Sequence, residues 1–230
     1  MARQGTGKGR GAALTADDWV DAALRALAEG GVAAVAVEPI AQRLGVTKGS
    51  FYWHFANREA LLRAALERWE EGATEAVIAA LAPLRDPREW LVQLVEDAFT
   101  EETEVETAKR GGVASGSVAL AVADAAEDPV VGPVLRRVSA RRLAYLEECF
   151  RALGLTGEEA RSRALLAYSA YIGVGRLARE APDWVPTGKQ LAAFKRHLIA
   201  GLLPEDGGDA DDRRAVGENA VRVSTETRRG

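Results

Sequence analysis

Polar side chains crowd residues 47–58 of this chain, among them Thr47, Lys48, Ser50, Tyr52, His54 and Arg58. Their shared chemistry is hydrogen bonding and charge, not bond making. A lysine ammonium can donate to O6 or N7 of guanine, and serine can bond either base edges or backbone. Hydroxyls, a phenol, an imidazole and a guanidinium suit phosphate oxygens. Gly49 adds nothing beyond its backbone, which lets the segment come close to a partner surface. Trp53 has two places to go, a sugar–phosphate wall or the first helix. Phe51 and Phe55, four residues apart, fall on the other side and anchor the segment to its own protein.

The elements that must hold these groups are helical. Thr15, with Asp18 three residues on, begins a first helix in a capping-box pattern, and Asp17 and Asp21 suit its positive end. Val20, Ala23, Leu24 and Leu27 form its apolar face, and Gly30-Gly31 ends it. A second helix runs from Val37 to Leu44, with Pro39 harmless in its first turn. Gly45 closes it, Thr47 caps a third helix ending near His54 or Phe55, and Asn57 caps a fourth that runs to about Leu81, before Pro83. Two helices, a glycine turn and an outward-facing short helix make a helix-turn-helix, whose second helix enters the DNA major groove.

The segment IAQRLGVTKGSFYWHFANREALL, residues 40–62, resembles the tetracycline-repressor-type (TetR) family of bacterial regulators. The resemblance spans about 14–73 and rests on Gly45-Val46, the aromatic-Tyr-x-His-Phe run at 51–55 and the acidic-Ala-Leu-Leu run at 59–62. It implies that Thr47, Lys48, Gly49, Ser50, Tyr52 and His54 lie on a recognition helix and that Arg58 grips phosphate. One departure stands out. Such proteins commonly start their second helix with Thr or Ser followed by polar or basic residues, whereas here Ala36-Val37-Glu38 offers no capping hydroxyl, and Glu38 would repel phosphate.

Further helices are expected at about 87–103, 113–126, 130–153, 157–180 and 188–203. The resemblance implies an all-α second domain that dimerises and encloses a small molecule. The adjacent helices at 130–153 and 157–180, with Leu146, Ala164, Leu165 and Gly173 among their residues, would form the dimer interface. Trp90, Leu94, Phe99, Tyr168, Tyr171 and Trp184 are the ligand-site candidates, each of which is otherwise ordinary core. Arg136, Arg137, Arg141 and Arg142 form a basic cluster, read as a solvated face or, less simply, as a site for an acidic ligand.

Composition narrows the remaining choices. With 47% apolar residues, 6% aromatic residues and almost no strand-like alternation, the chain is expected to be all-α. A net charge of −4 argues against a nonspecific nucleic-acid coat but leaves room for a small DNA-reading module. A single cysteine, Cys149, excludes an internal disulfide framework and fits a reducing, cytoplasmic setting. No apolar run spans a bilayer, so no membrane partner is expected. The only histidines, His54 and His197, lie on different elements, and no metal spacing, nucleophile elbow or phosphate loop is present. No catalytic residue, metal or cofactor is therefore expected.

The organisation expected from these readings has four parts. Residues 1–13, with three basic side chains and no acid, form a disordered basic arm. Residues 14–73 form the helix-turn-helix domain, its recognition motif at 36–55. Residues 74–203 form the helical effector and dimerisation domain, and 204–230 a disordered tail. The expected function is that of a homodimeric transcriptional repressor on a palindromic DNA operator, released by an unidentified small-molecule effector. Two readings stay open beside it: an all-helical small-molecule-binding or interaction protein with a vestigial DNA module, and a transcriptional activator.

Overall fold

Capping side chains and glycines decide where the first four helices begin and end. The computed structural model describes residues 14–99 and 115–204, and every regular element in them is helical. The expected arm at 1–13, the tail from 205 onward and the expected helix ends within 100–114 lie outside the described residues. Helix α1 (Ala16–Ala34) starts on a complete capping box: the Thr15 amide and hydroxyl donate to the Asp18 carboxylate at 2.7 and 2.8 Å, and the Asp18 amide donates back. The glycine break is where the sequence places it, at Gly30 and at Gly31 with φ +69°, but one more turn follows, to Ala34. Helix α2 (Val37–Leu44) begins on Ala36 with no side-chain cap and ends at Gly45 in the left-handed region, φ +70°. Helix α3 (Lys48–Phe51) is a single turn continued by looser turns to His54.

Helix α4 (Arg58–Glu70) is capped by Asn57, whose Oδ1 accepts the Ala60 amide at 2.9 Å. It passes without a break through a π-helical segment (Glu71–Glu75) into α5 (Ala76–Leu81), and stops before Pro83. There follow α6 (Pro87–Ala98), α7 (Ser115–Asp124), α8 (Val131–Ala152), α9 (Gly157–Glu180), a 3₁₀ turn (Pro182–Trp184) and α10 (Gly188–Leu202).

Two apolar cores hold these helices together. The first gathers Trp19 and Leu27 of α1, Phe51 of α3, and Leu62, Leu66 and Trp69 of α4. Val118 and Val122 of α7 and Val131, Val134 and Val138 of α8 complete it. The second gathers Leu81, Trp90, Leu91 and Val95 with Leu146 and Phe150 of α8, Ala160 of α9 and Leu191 of α10. Full burial of such a side chain stabilises by about 1.5–3 kcal/mol, so the first core is the rigid base on which α3 stands. That core includes residues beyond 73, as far as Val138 of α8. Helix α8 contributes its first half to one core and its second half to the other.

Candidate nucleic-acid interface

A four-residue helix cannot stand alone, since nucleating one turn costs more than its few hydrogen bonds return. Here Phe51 holds it: its ring is fully buried, edge-on to Trp19 with centroids 5.3 Å apart and stacked on Phe55 at 5.8 Å. With Phe51 turned inward, the rest of the segment turns out. Thr47, Lys48 and Gly49 are exposed, Tyr52 and Trp53 are 58% and 88% exposed, and Ser50 and His54 are half-buried. The eight predicted DNA-facing positions thus lie in one short stretch, from the start of α3 to the first residue of α4. Trp53 is not packed on α1, the second of the two places the sequence left open to it.

Two of these residues depart from expectation. Thr47 occupies the N-cap position of α3, but its hydroxyl makes no capping bond. The turn closes tightly instead, with the Ser50 amide donating to the Thr47 carbonyl at 3.0 Å, which takes up the donor that the hydroxyl would have met. Arg58 does not simply reach outward. Its Nε donates to the Val35 carbonyl and an Nη to the Val32 carbonyl, both at 2.6 Å. Both carbonyls lie at the end of α1, where Val32 also accepts the Val35 amide at 3.2 Å, and Arg58 ties this end down while fixing the start of α4 against the α1–α2 turn. Its firmest task is positioning.

Lys48 also has a partner that its sequence neighbourhood hides. Its Nζ lies 2.6 Å from Oε1 of Glu38, on the first turn of α2. The hydrogen bond and charge of each raise the Lys48 pKa and hold the Glu38 carboxyl below the usual carboxylate range. Arg43 is paired with Glu29 at 2.6 Å. Across residues 14–58 the cations Arg25, Arg43, Lys48 and Arg58 face five acids, Asp17, Asp18, Asp21, Glu29 and Glu38. This is an interface with little spare positive charge.

Gly49 is informative for a different reason. A methyl group built there would meet only the Thr47 hydroxyl, at an ordinary 3.6 Å. Nothing within the fold requires glycine at this place.

Behind the interface, three of the four clustered arginines grip the helix that carries it. Arg137 pairs with Glu70 at 2.5 Å and Arg141 with Glu75 at 3.1 Å. Arg142 donates to the Thr74 hydroxyl and to the Ala73 carbonyl, each at 3.0 Å, and lies over the rings of Trp69 and Tyr171. Thr74 is buried, and both acceptors of Arg142 lie within the π-helical segment. The cluster on α8 is therefore a seam to α4. Arg137 stays 55% exposed, as on a solvated face, although it is ion-paired; Arg141 and Arg142 are half-buried in the seam.

The six ligand-site candidates separate. Trp90 and Phe99 are buried in the second core, with Leu94, Tyr168 and Tyr171 packed against it. The Trp90 indole donates to the Tyr145 hydroxyl at 2.8 Å, Tyr168 stacks on Tyr171, and Phe99 meets Tyr171 edge-on. Trp184 does not join them: it is 84% exposed, because its 3₁₀ turn carries it off the end of α9. Among the described residues no group of His, Cys, Asp and Glu converges as a metal site, and no helix is long and apolar enough to cross a membrane.

Comparison with known proteins places this geometry. Residues 20–65 match the model for bacterial regulatory proteins of the tetR family. The HTH-type transcriptional regulator AcrR of Shigella flexneri is 34% identical over 88 residues, which are 36% of this chain and 41% of that protein. The chain spans less than half the length of the curated relatives it matches. Solved structures align far more completely. A TetR-family transcriptional regulator from Agrobacterium tumefaciens gives a TM-score of 0.66 at 21% identity, covering 82% of this chain and 97% of that one. FadR from Bacillus subtilis, solved in complex with stearoyl-CoA, gives 0.61 at 15% identity, covering 82% and 98%.

Proposed function

We propose that this chain, which belongs to the tetR family of bacterial regulatory proteins, is a cytoplasmic, sequence-specific DNA-binding regulator that acts as a homodimer on an inverted-repeat operator. The observation that carries this reading is the outward row on α3, held from behind by Phe51. In it Lys48 and Ser50 read base edges, while Thr47, Tyr52, Trp53 and His54 contact the sugar–phosphate walls. Arg58 fixes the angle at which α3 is presented. Two copies set the α3 helices roughly 34–36 Å apart, one turn of DNA.

The face of α9 supports a second copy of this chain as the dimer partner. Leu165, Leu166 and Leu177 are 57%, 61% and 44% exposed, and the space around Gly173 is open. Leu146 and Ala164, also expected at the interface, are buried within the protomer, so they serve the core. The protein acts as a repressor released by a small molecule seated among Trp90, Leu94, Phe99, Tyr168 and Tyr171. Tyr171 touches Arg142, and Arg142 grips the π segment of the helix that leads to α3, so a ligand that moves Tyr171 moves the reading head. Such a ligand shifts the equilibrium only by its difference in affinity for the two arrangements.

Selection from a pool of random-sequence duplexes by the full-length protein, followed by a screen for small molecules that release the selected DNA, tests this reading. An inverted repeat should be enriched. A pool that stays random after repeated rounds refutes it.

A further inference from the structure

Glu38 stands at the start of α2 and Lys48 at the start of α3, so their contact closes the angle between the two helices of the reading head. Both side chains remain more than half exposed, at 72% and 51%, although they touch at 2.6 Å. We propose that Glu38 is a positioning residue for DNA recognition: by holding the Lys48 ammonium, it turns that cation away from phosphates and toward uncharged acceptors on base edges. The inference rests on the DNA-reading function proposed above.

The argument is one of charge. An ammonium has three donors, and Glu38 takes one, leaving two for DNA. A phosphate oxygen that took either of these would be brought beside the Glu38 carboxylate, and like charges forced together are penalised. Guanine O6 and N7 bear no net charge and escape that penalty. Glu38 therefore weakens the sequence-independent contact of Lys48 more than its sequence-dependent one. The surroundings fit such a role. Arg43 is already held by Glu29, and Arg58 is turned onto the carbonyls of Val32 and Val35. A reading head with so little free charge gains discrimination at the expense of affinity, because phosphate contacts supply most nonspecific binding. The same contact fixes where the ammonium points, which a free lysine side chain would leave open.

The test is a double-mutant cycle on DNA binding. Wild type, Glu38→Gln, Lys48→Ala and the double variant are titrated with a duplex selected by the wild-type protein and with a random-sequence duplex of equal length, across a series of salt concentrations. Glu38→Gln should raise affinity for the random duplex by about tenfold while the selected duplex gains less than roughly threefold, so the ratio of the two falls. The salt dependence on random DNA should steepen by about one counterion as Lys48 finds a phosphate. In the Lys48→Ala background Glu38→Gln should do neither. A gain of equal size with and without Lys48 would show plain repulsion between Glu38 and DNA and would overturn the inference, as would an unchanged ratio. A wild-type protein that selects no sequence removes the DNA reading itself; one that selects a sequence and shows no coupling removes only the role of Glu38.

Discussion

Replacing Arg142 with alanine should be the most damaging single change on the α4–α8 seam. Two charge-assisted hydrogen bonds, to the Thr74 hydroxyl and the Ala73 carbonyl, are lost, and both acceptors lose a partner in a half-buried place. Hydrogen bonds to charged groups contribute about 1.5–3 kcal/mol each, and stranding a buried polar group costs about 1–3 kcal/mol. The guanidinium also leaves the Trp69 and Tyr171 rings, at 5.4 and 5.9 Å, a contact worth about 0.5–2 kcal/mol. Because these contributions overlap and Arg142 is only half-buried, the low end of the sum applies, about 3 kcal/mol. For a chain of this size that lowers the unfolding midpoint by roughly 6–12 °C. Arg137→Ala removes a pair in which Arg137 is 55% exposed, so it should cost less than about 1 kcal/mol, and Arg141→Ala no more. Thermal and urea unfolding at one fixed protein concentration checks the ranking, since a dimer's midpoint moves with concentration. Arg142→Lys, which keeps the charge but not the fork, should recover less than half of the loss. If Arg142→Ala proves no worse than Arg137→Ala, the seam is not built as described.

Gly49→Ala should separate stability from binding: the protein unfolds at the same midpoint or slightly higher, within about 1 kcal/mol, yet binds the selected duplex more weakly by gel shift, because only the DNA needs the space. Lys48→Ala should relax preference at a single base pair in each half-site by about 1–3 kcal/mol, read by repeating the selection with the variant. Burial pushes the Cys149 thiol up to about 12, so at pH 8 it should react with iodoacetamide about a thousandfold more slowly in the native protein than in the unfolded chain. The sign follows for stability: the contribution of the neutral thiol is complete below the ordinary thiol value and is lost as pH rises from about 9 toward 12, seen as a falling unfolding midpoint that Cys149→Ala should flatten.

Local chemistry was legible in the sequence, and contacts between distant elements were not. Thr15 with Asp18, Gly45 and Asn57 mark helix ends by interactions that span four residues or fewer, so α1, α2 and α4 start or stop where their sequence places them. Phe51 could be assigned to the core because its spacing from Phe55 sets one face of a helix against the other. Lys48 and Glu38 are ten residues apart, a spacing that no single helix brings together; their contact needs the crossing of α2 and α3. Arg58 meets carbonyls 23 and 26 residues upstream for the same reason. The π-helical segment at 71–75 has no signature in Glu-Gly-Ala-Thr-Glu, since the side chains that engage it are Arg141, 66 residues from Glu75, and Arg142, 68 residues from Thr74. The basic cluster on α8 was visible as a charge pattern, but its partners Glu70, Thr74 and Glu75 lie on another element. Trp184 is expected among the ligand-site candidates because it is a large aromatic, but the short turn after α9 leaves it in solvent.

The central claim is that α3 reads DNA sequence, and one ratio tests it most directly: the affinity of the full-length protein for its selected inverted repeat divided by that for a scrambled duplex, both measured by fluorescence anisotropy at physiological salt. The account predicts a preference of about a thousandfold or more, falling sharply with Lys48→Ala. A ratio near one, unmoved by that substitution, would contradict it.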